Sequence, residues 1–185
     1  MNKTFTVKKG EKKTIIVDRS GEYTIELIGE GAEANIVGIF IGRGNEVFTI
    51  HTIQHHKAPN TISDLLIKSV LRDKSKLYYD GLIRIDKKAQ KSNAYQRNEN
   101  LLMSGDAHVE SKPELEILAN DVRCTHGATM GMVDEEEIFY LMSRGINRKE
   151  AEQIIIEGFL QGVLDRIEDK KKKEVIRKKF TTAVV

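Results

Sequence analysis

The sequence predicts a mainly β chain with a C-terminal α segment: a β-solenoid over residues 1–131, then a small helical segment over residues 132–185. Three observations predict it. Short β-branched runs alternate with polar residues through the first two-thirds of the chain, as strands with one buried face do. Turn-forming clusters separate these runs about every fourteen residues, the near-constant spacing of stacked units. After Gly131 the apolar period lengthens from that of a strand to that of a helix.

The strand runs include Thr14-Ile15-Ile16-Val17, Tyr23-Thr24-Ile25-Glu26-Leu27, residues 36–41 and residues 47–53. The turn clusters are Gly29-Glu30-Gly31, Gly42-Arg43-Gly44, Pro59-Asn60, Asp73-Lys74, Asp86-Lys87, Gly105-Asp106 and Asn120-Asp121. Even spacing of this kind suits a sandwich or a solenoid. Two features favour the solenoid. Tight-hairpin dipeptides are almost absent, and Asp80-Gly81 falls inside an apolar run rather than between two. The units also share spacing rather than sequence, as stacked coils do.

The helical segment opens at Asp134, an N-cap residue followed by Glu135, Glu136 and Glu137, whose charge suits the positive end of a helix. Ile138, Leu141 and Met142 make its apolar stripe and Gly145 ends it. Asn147 with Glu150 three residues later reads as a capping box for a second helix. Along it Ala151, Ile154, Ile155, Gly158, Phe159 and Val163 recur at helical spacing. A charged third helical stretch, residues 164–180, follows, either separate or as an extension of the second helix.

Composition narrows the function class. No apolar run approaches the ~18 residues that a membrane helix needs, and residues 1–10 lack the apolar stretch of a secretory signal. The single cysteine, Cys124, excludes an internal disulfide framework and suits a reducing compartment, so the reading is cytoplasmic. A net charge of +2 is too small to argue for nucleic acid. The basic run Lys170 to Lys173, Arg177, Lys178 and Lys179 reads first as a solvated helix end, and nucleic-acid binding ranks last among the functions considered.

Few residues could carry chemistry. Cys124 and His126 lie two apart, and on a strand such residues project to one face. Arg123 or a protonated His126 would lower the thiol pKa. Thiolate plus imidazole suits iron, zinc or copper, yet two ligands do not close a site, so the pair implies a site shared at an interface or none. Composition alone favours a buried structural cysteine. His51, His55 and His56 read as exposed surface histidines, and His108 as half-exposed on a strand. A Walker motif, a Gly-x-Gly-x-x-Gly after a strand and a Gly-x-Ser-x-Gly are all absent from the sequence, which disfavours an autonomous nucleotide-dependent or hydrolytic enzyme.

About half of the chain resembles a known family. Residues 80–85 (Asp-Gly-Leu-Ile-Arg-Ile), 94–104 (opening Ala-Tyr-Gln-Arg-Asn-Glu-Asn), 113–129 (ending Cys-Thr-His-Gly-Ala-Thr), 134–146 and 151–159 are similar, in order and nearly without gaps, to the C-terminal part of SufB/SufD proteins, the scaffold subunits of the SUF iron–sulfur assembly machinery. The resemblance implies a right-handed parallel β-helix capped by helices. It implies pairing of two scaffold subunits through β-helix edges, either with a SufB/SufD-like subunit or as a homodimer. It also implies docking of the ABC-type ATPase SufC on the helices, with Phe139, Tyr140, Arg144 and Phe159 as candidate contacts. For Phe139 and Phe159, packing of the helices on the last coil is the favoured alternative. A nascent iron–sulfur cluster would form at the paired edges. The family histidine there corresponds to His126, with Cys124 beside it, while Arg97 stands where SufB-type members carry a cysteine. The chain is shorter than half of a usual member. The implied function is a non-enzymatic scaffold, with ATP hydrolysed on a separate subunit; the alternative is a degenerate β-helix interaction module that binds no metal.

Overall fold

The computed structural model describes residues 2–177 apart from 172 and 175. Ten strands carry most of the chain: β1 (Asn2–Val7), β2 (Lys12–Val17), β3 (Gly21–Leu27), β4 (Glu33–Gly42), β5 (Val47–His56), β6 (Ile62–Leu71), β7 (Lys76–Ile85), β8 (Asn93–Leu102), β9 (His108–Ile117) and β10 (Arg123–Met132). Odd strands form one sheet, ordered β1-β3-β5-β7-β9, and even strands a second, ordered β2-β4-β6-β8-β10. Every neighbouring pair is parallel. Parallel neighbours need a crossover, and here the crossover is a strand of the opposite sheet, so the chain winds as a β-solenoid of about four turns.

Register sets the coil length. Ile25 pairs with Gln54, Gln54 with Ile83 and Ile83 with Leu115, so one coil takes about 30 residues. The fourteen-residue spacing of the turn clusters is therefore half a coil. Left-handed backbone recurs at the corners: Gly31 (φ 70), Asn60 (φ 58) and Lys91 (φ 59) on one side, Gly44 (φ 55) and Asp73 (φ 53) on the other. Glycine and Asx residues take this conformation most readily. Backbone bonds from Asn60 N to Gln90 O (2.9 Å) and from Lys91 N to Asp121 O (2.6 Å) hold successive corners together.

Alternation along the strands fills the coil interior. Ile15, Val17, Tyr23, Ile25, Leu27, Ile36, Ile50, Leu65, Ile67, Leu71 and Leu77 make one apolar core. Towards the last coils the interior turns polar: Thr52, Gln54, Ser69, Gln96, Asn98 and Asn100 are all buried. Each finds a partner inside the coil: Gln54 Nε2 donates to Gln96 Oε1 (3.1 Å), Ser69 Oγ to Asn100 Oδ1 (2.7 Å) and Asn100 Nδ2 to the Thr129 carbonyl (3.0 Å). Buried polar groups persist where such partners exist.

Two helices follow, α1 (Glu135–Ser143) and α2 (Arg148–Leu164). Asp134 caps α1 by accepting from Glu136 N, and Asn147 with Glu150 forms a capping box on α2. α2 covers the outer face of the even-strand sheet: Ile156, Leu160 and Leu164 pack on Val70, and Val163 on Val37 and Leu66. That is why β4 and β6 are buried on both faces, as strands covered by helices are. Lys68 anchors the helix; its Nζ donates to the Phe159 carbonyl at 2.7 Å and pairs with Glu99 at 2.7 Å. The charged third stretch does not extend α2. Asp165 caps α2, residues 167–169 are not helical, and helical turns resume from Lys170. Lys172, Lys178, Lys179 and Phe180 lie outside the described residues.

Candidate functional site

β10 is the last strand of its sheet, paired with β8 alone. Cys124 pairs with Ala94 and His126 with Gln96, and both partners are buried. Side chains alternate across a strand, so Cys124, His126, Ala128, Met130 and Met132 lie on the inward side of the last coil. No further strand lies over them among the described residues, and Met130 and Met132 remain 55% and 54% exposed.

The thiol and the imidazole sit in different surroundings. Cys124 packs against the apolar cluster Ile83, Ile85, Ala89, Ala94 and Ala119. Burial pushes its thiol pKa up. This corrects the expectation of an activated thiol: Arg123 is one residue away, so it projects to the outer face and cannot stabilise a thiolate on the inner one. His126 is exposed. Among the described residues no three His, Cys, Asp or Glu side chains come together in a way that could hold a metal ion, so the described residues bring Cys124 and His126 as a pair and no third donor of these types beside them. Arg97 is paired with Gly127 and faces outward, stacked 4.8 Å from the Tyr95 ring centroid and 3.7 Å from Glu99 Oε1. It therefore lies on the opposite face of the sheet from Cys124 and His126.

Other candidate residues fall elsewhere. Phe139 and Tyr140 on α1 are 72% and 58% exposed, so Phe139 is not a packing residue against the last coil. The Arg144 guanidinium lies 5.3 Å from the Tyr140 ring centroid, as i, i+4 neighbours can. Between the helices lies a cleft of about 430 Å³ lined by Asp134, Glu136, Glu137, Tyr140, Leu141 and Ile155. Phe159 is turned towards the sheet, half-buried with Val70 and 4.4 Å under Lys68 Nζ. Of the histidines, His51 is exposed beside Asp80 at 3.0 Å and His55 bonds Asp86 at 2.9 Å. His56 corrects the exposed reading: it is fully buried, with Thr61 Oγ1 2.7 Å from Nδ1 and Ser63 Oγ 2.8 Å from Nε2. Burial lowers its pKa to about 4.

The polar interior beneath His126 escaped sequence reading. Gln96, Asn98 and Asn100 alternate along β8 as solvent-facing residues would, and the sole signal was that Tyr95, Arg97 and Glu99 between them make no better core.

Fold and site together define a parallel β-solenoid that carries a helical pair on its flank and an incomplete soft-donor pair at its open last coil. Residues 17–159 match the family described as SUF system FeS cluster assembly, SufBD core domain. The chain is 38% identical over 151 residues to the iron–sulfur cluster assembly protein SufD of Escherichia coli K12, covering 82% of this chain and 36% of the relative. It is 35% identical to SufD of Bacillus subtilis 168, over 81% of this chain and 34% of that one. A SufBD family protein of Synechocystis is 33% identical over 75% of this chain and 30% of its own length. The chain belongs to the SufBD family of the SUF iron–sulfur assembly system. It spans about a third of the length of the curated relatives it matches. No helix among the described residues is long and apolar enough to cross a membrane.

Proposed function

We propose that this chain is a non-enzymatic, cytoplasmic scaffold subunit of a SUF-type iron–sulfur assembly complex. The observation that carries the reading is the inward-facing pair Cys124 and His126 on a last coil with no strand over it among the described residues. Pairing of that coil with a SufB/SufD-like subunit, or with a second copy, would cover Met130 and Met132 and bring further donors to the two present here. The nascent cluster is cargo at this interface. His126 offers an imidazole nitrogen, and Cys124 offers sulfur once iron displaces its proton, since a thiol must lose its proton to bind metal. Its raised pKa keeps it protonated and unreactive until then.

Docking of a SufC-like ABC ATPase falls to the exposed face of α1, with Phe139, Tyr140 and Arg144 as contacts; Phe159 supports that face through the packing of α2. Nucleotide hydrolysis belongs to the ATPase.

Anaerobic reconstitution with ferrous iron and sulfide, alone and with a SufB-like subunit, tests the cluster role. A sulfide-to-iron absorption band that is lost in Cys124→Ser and His126→Ala is expected. If no band forms in either setting, the chain is instead a metal-free interaction module that pairs through the same coil edge.

A further inference from the structure

One corner of the solenoid uses a residue that the turn itself does not favour. Gly31, Asn60 and Lys91 hold the same place in successive coils, with φ of 70, 58 and 59. Each donates its N–H to a carbonyl of the following coil: Gly31 to Pro59 (3.4 Å), Asn60 to Gln90 (2.9 Å) and Lys91 to Asp121 (2.6 Å). Glycine and asparagine take left-handed backbone readily, whereas lysine takes it at a cost. Such strain collects at functional sites. Lys91 lies on a polar pocket of about 400 Å³, lined with it by Ser92, Asn93, Asp121, Val122 and Arg123. Arg123 N donates to the Ser92 carbonyl at 3.0 Å, and Arg123 is the register partner of Asn93. Stacking of two coils therefore brings two cations to one pocket.

The donors of this pocket are uncommitted. Among the described residues, the Lys91 ammonium and the Arg123 guanidinium have no carboxylate within ion-pairing distance, and the Ser92 N–H and the Asn93 carboxamide take no hydrogen-bond partner. Lys91, Asn93, Asp121 and Arg123 are all exposed, so a ligand reaches them directly from solvent. An ammonium, a forked guanidinium and neutral N–H donors are the set that recognises a tetrahedral oxyanion. Asp121 decides which one. A carboxylate accepts hydrogen bonds and cannot donate them, so it repels an oxyanion without a proton and bonds one that carries a hydroxyl. Near neutral pH phosphate keeps a hydroxyl and sulfate keeps none. We propose that the corner formed by Lys91, Asp121 and Arg123 is a binding site for inorganic phosphate. The site lies on the outer side of the coil, and it stands apart from the cluster reading because no metal enters its test.

Isothermal titration calorimetry of the full chain with inorganic phosphate and with sulfate, near neutral pH and at fixed ionic strength, decides it. Wild type is expected to bind phosphate at least tenfold more tightly than sulfate. Arg123→Gln is expected to weaken phosphate at least tenfold, since the fork of donors is lost. Lys91→Asn is expected to weaken it as much while raising the urea midpoint, because asparagine suits the corner better. A lysine that served only the turn would not give that split. Asp121→Asn is expected to bring sulfate to within about twofold of phosphate, because the repelling charge is gone. Far-UV circular dichroism verifies folding, and Lys91→Arg, expected to keep phosphate binding, serves if the asparagine variant unfolds. Absence of phosphate binding, binding untouched in Lys91→Asn or Arg123→Gln, or sulfate bound as well as phosphate by wild type would each overturn the proposal.

Discussion

Gln96 Nε2 donates to the Gly81 carbonyl at 3.1 Å across the solenoid interior, and the absent side chain of Gly81 is what lets the amide approach. A Cβ at position 81 would collide with that nitrogen and with the Tyr79 hydroxyl, which itself bonds Thr52 Oγ1 at 2.8 Å. Gly81→Ala is therefore expected to cost about 1–3 kcal/mol, as overpacking does. Urea unfolding would record it as a lower midpoint with an unchanged slope.

His56 makes stability depend on pH. Its pKa falls from an ordinary 6.5 to about 4 on folding, because burial penalises the imidazolium. The unfolded chain therefore binds a proton first as pH drops. The contribution of neutral His56 is complete above the unfolded value of 6.5 and is lost as pH falls towards about 4. The shift corresponds to about 3 kcal/mol between those limits. His56→Gln should flatten this part of the stability profile between pH 7 and pH 4, as measured by denaturant midpoints.

Lys68 ties α2 to the sheet through the Phe159 carbonyl and the Phe159 ring, and pairs with Glu99 on the neighbouring strand. Its side chain is 12% exposed, so removing it strands a helix carbonyl and leaves the half-buried Glu99 carboxylate with Arg97 at 3.7 Å. Lys68→Ala is expected to cost about 2 kcal/mol. Amide exchange should accelerate in α2 while protection of β3 and β5 holds.

Phe139 and Tyr140 are exposed on α1. Phe139→Ala and Tyr140→Ala should each change stability by less than about 0.5 kcal/mol, as exposed substitutions do. If α1 is the docking face, the same variants should weaken capture of a SufC-like ATPase at least tenfold in a pull-down titration. Unchanged capture would move the docking face elsewhere.

Much of the fold was legible because local rules and tertiary packing agree. Ile15, Val17, Tyr23, Ile25 and Leu27 alternate as their buried positions require, and Asp134 and the pair Asn147 and Glu150 cap the two helices where capping chemistry says they should. The site was legible only as a pair of residue types: the two-residue spacing of Cys124 and His126 put them on one face, and a family resemblance supplied the rest. The face itself, and the state of the thiol, were not legible.

By itself, the sequence determined the strands, the caps, the switch from β to α after Gly131 and the family. These rest on periodicity and on backbone chemistry, which act within a few residues. Tertiary structure alone decided which polar residues lie inside. Gln54, Gln96, Asn98 and Asn100 are buried because residues about 30 positions away in the next coil, or across the coil, supply hydrogen bonds to them, whereas His56 is held by Thr61 and Ser63 close by in the chain. It decided also that Arg123 and Cys124 face opposite ways and that the thiol is half-buried, which raises its pKa.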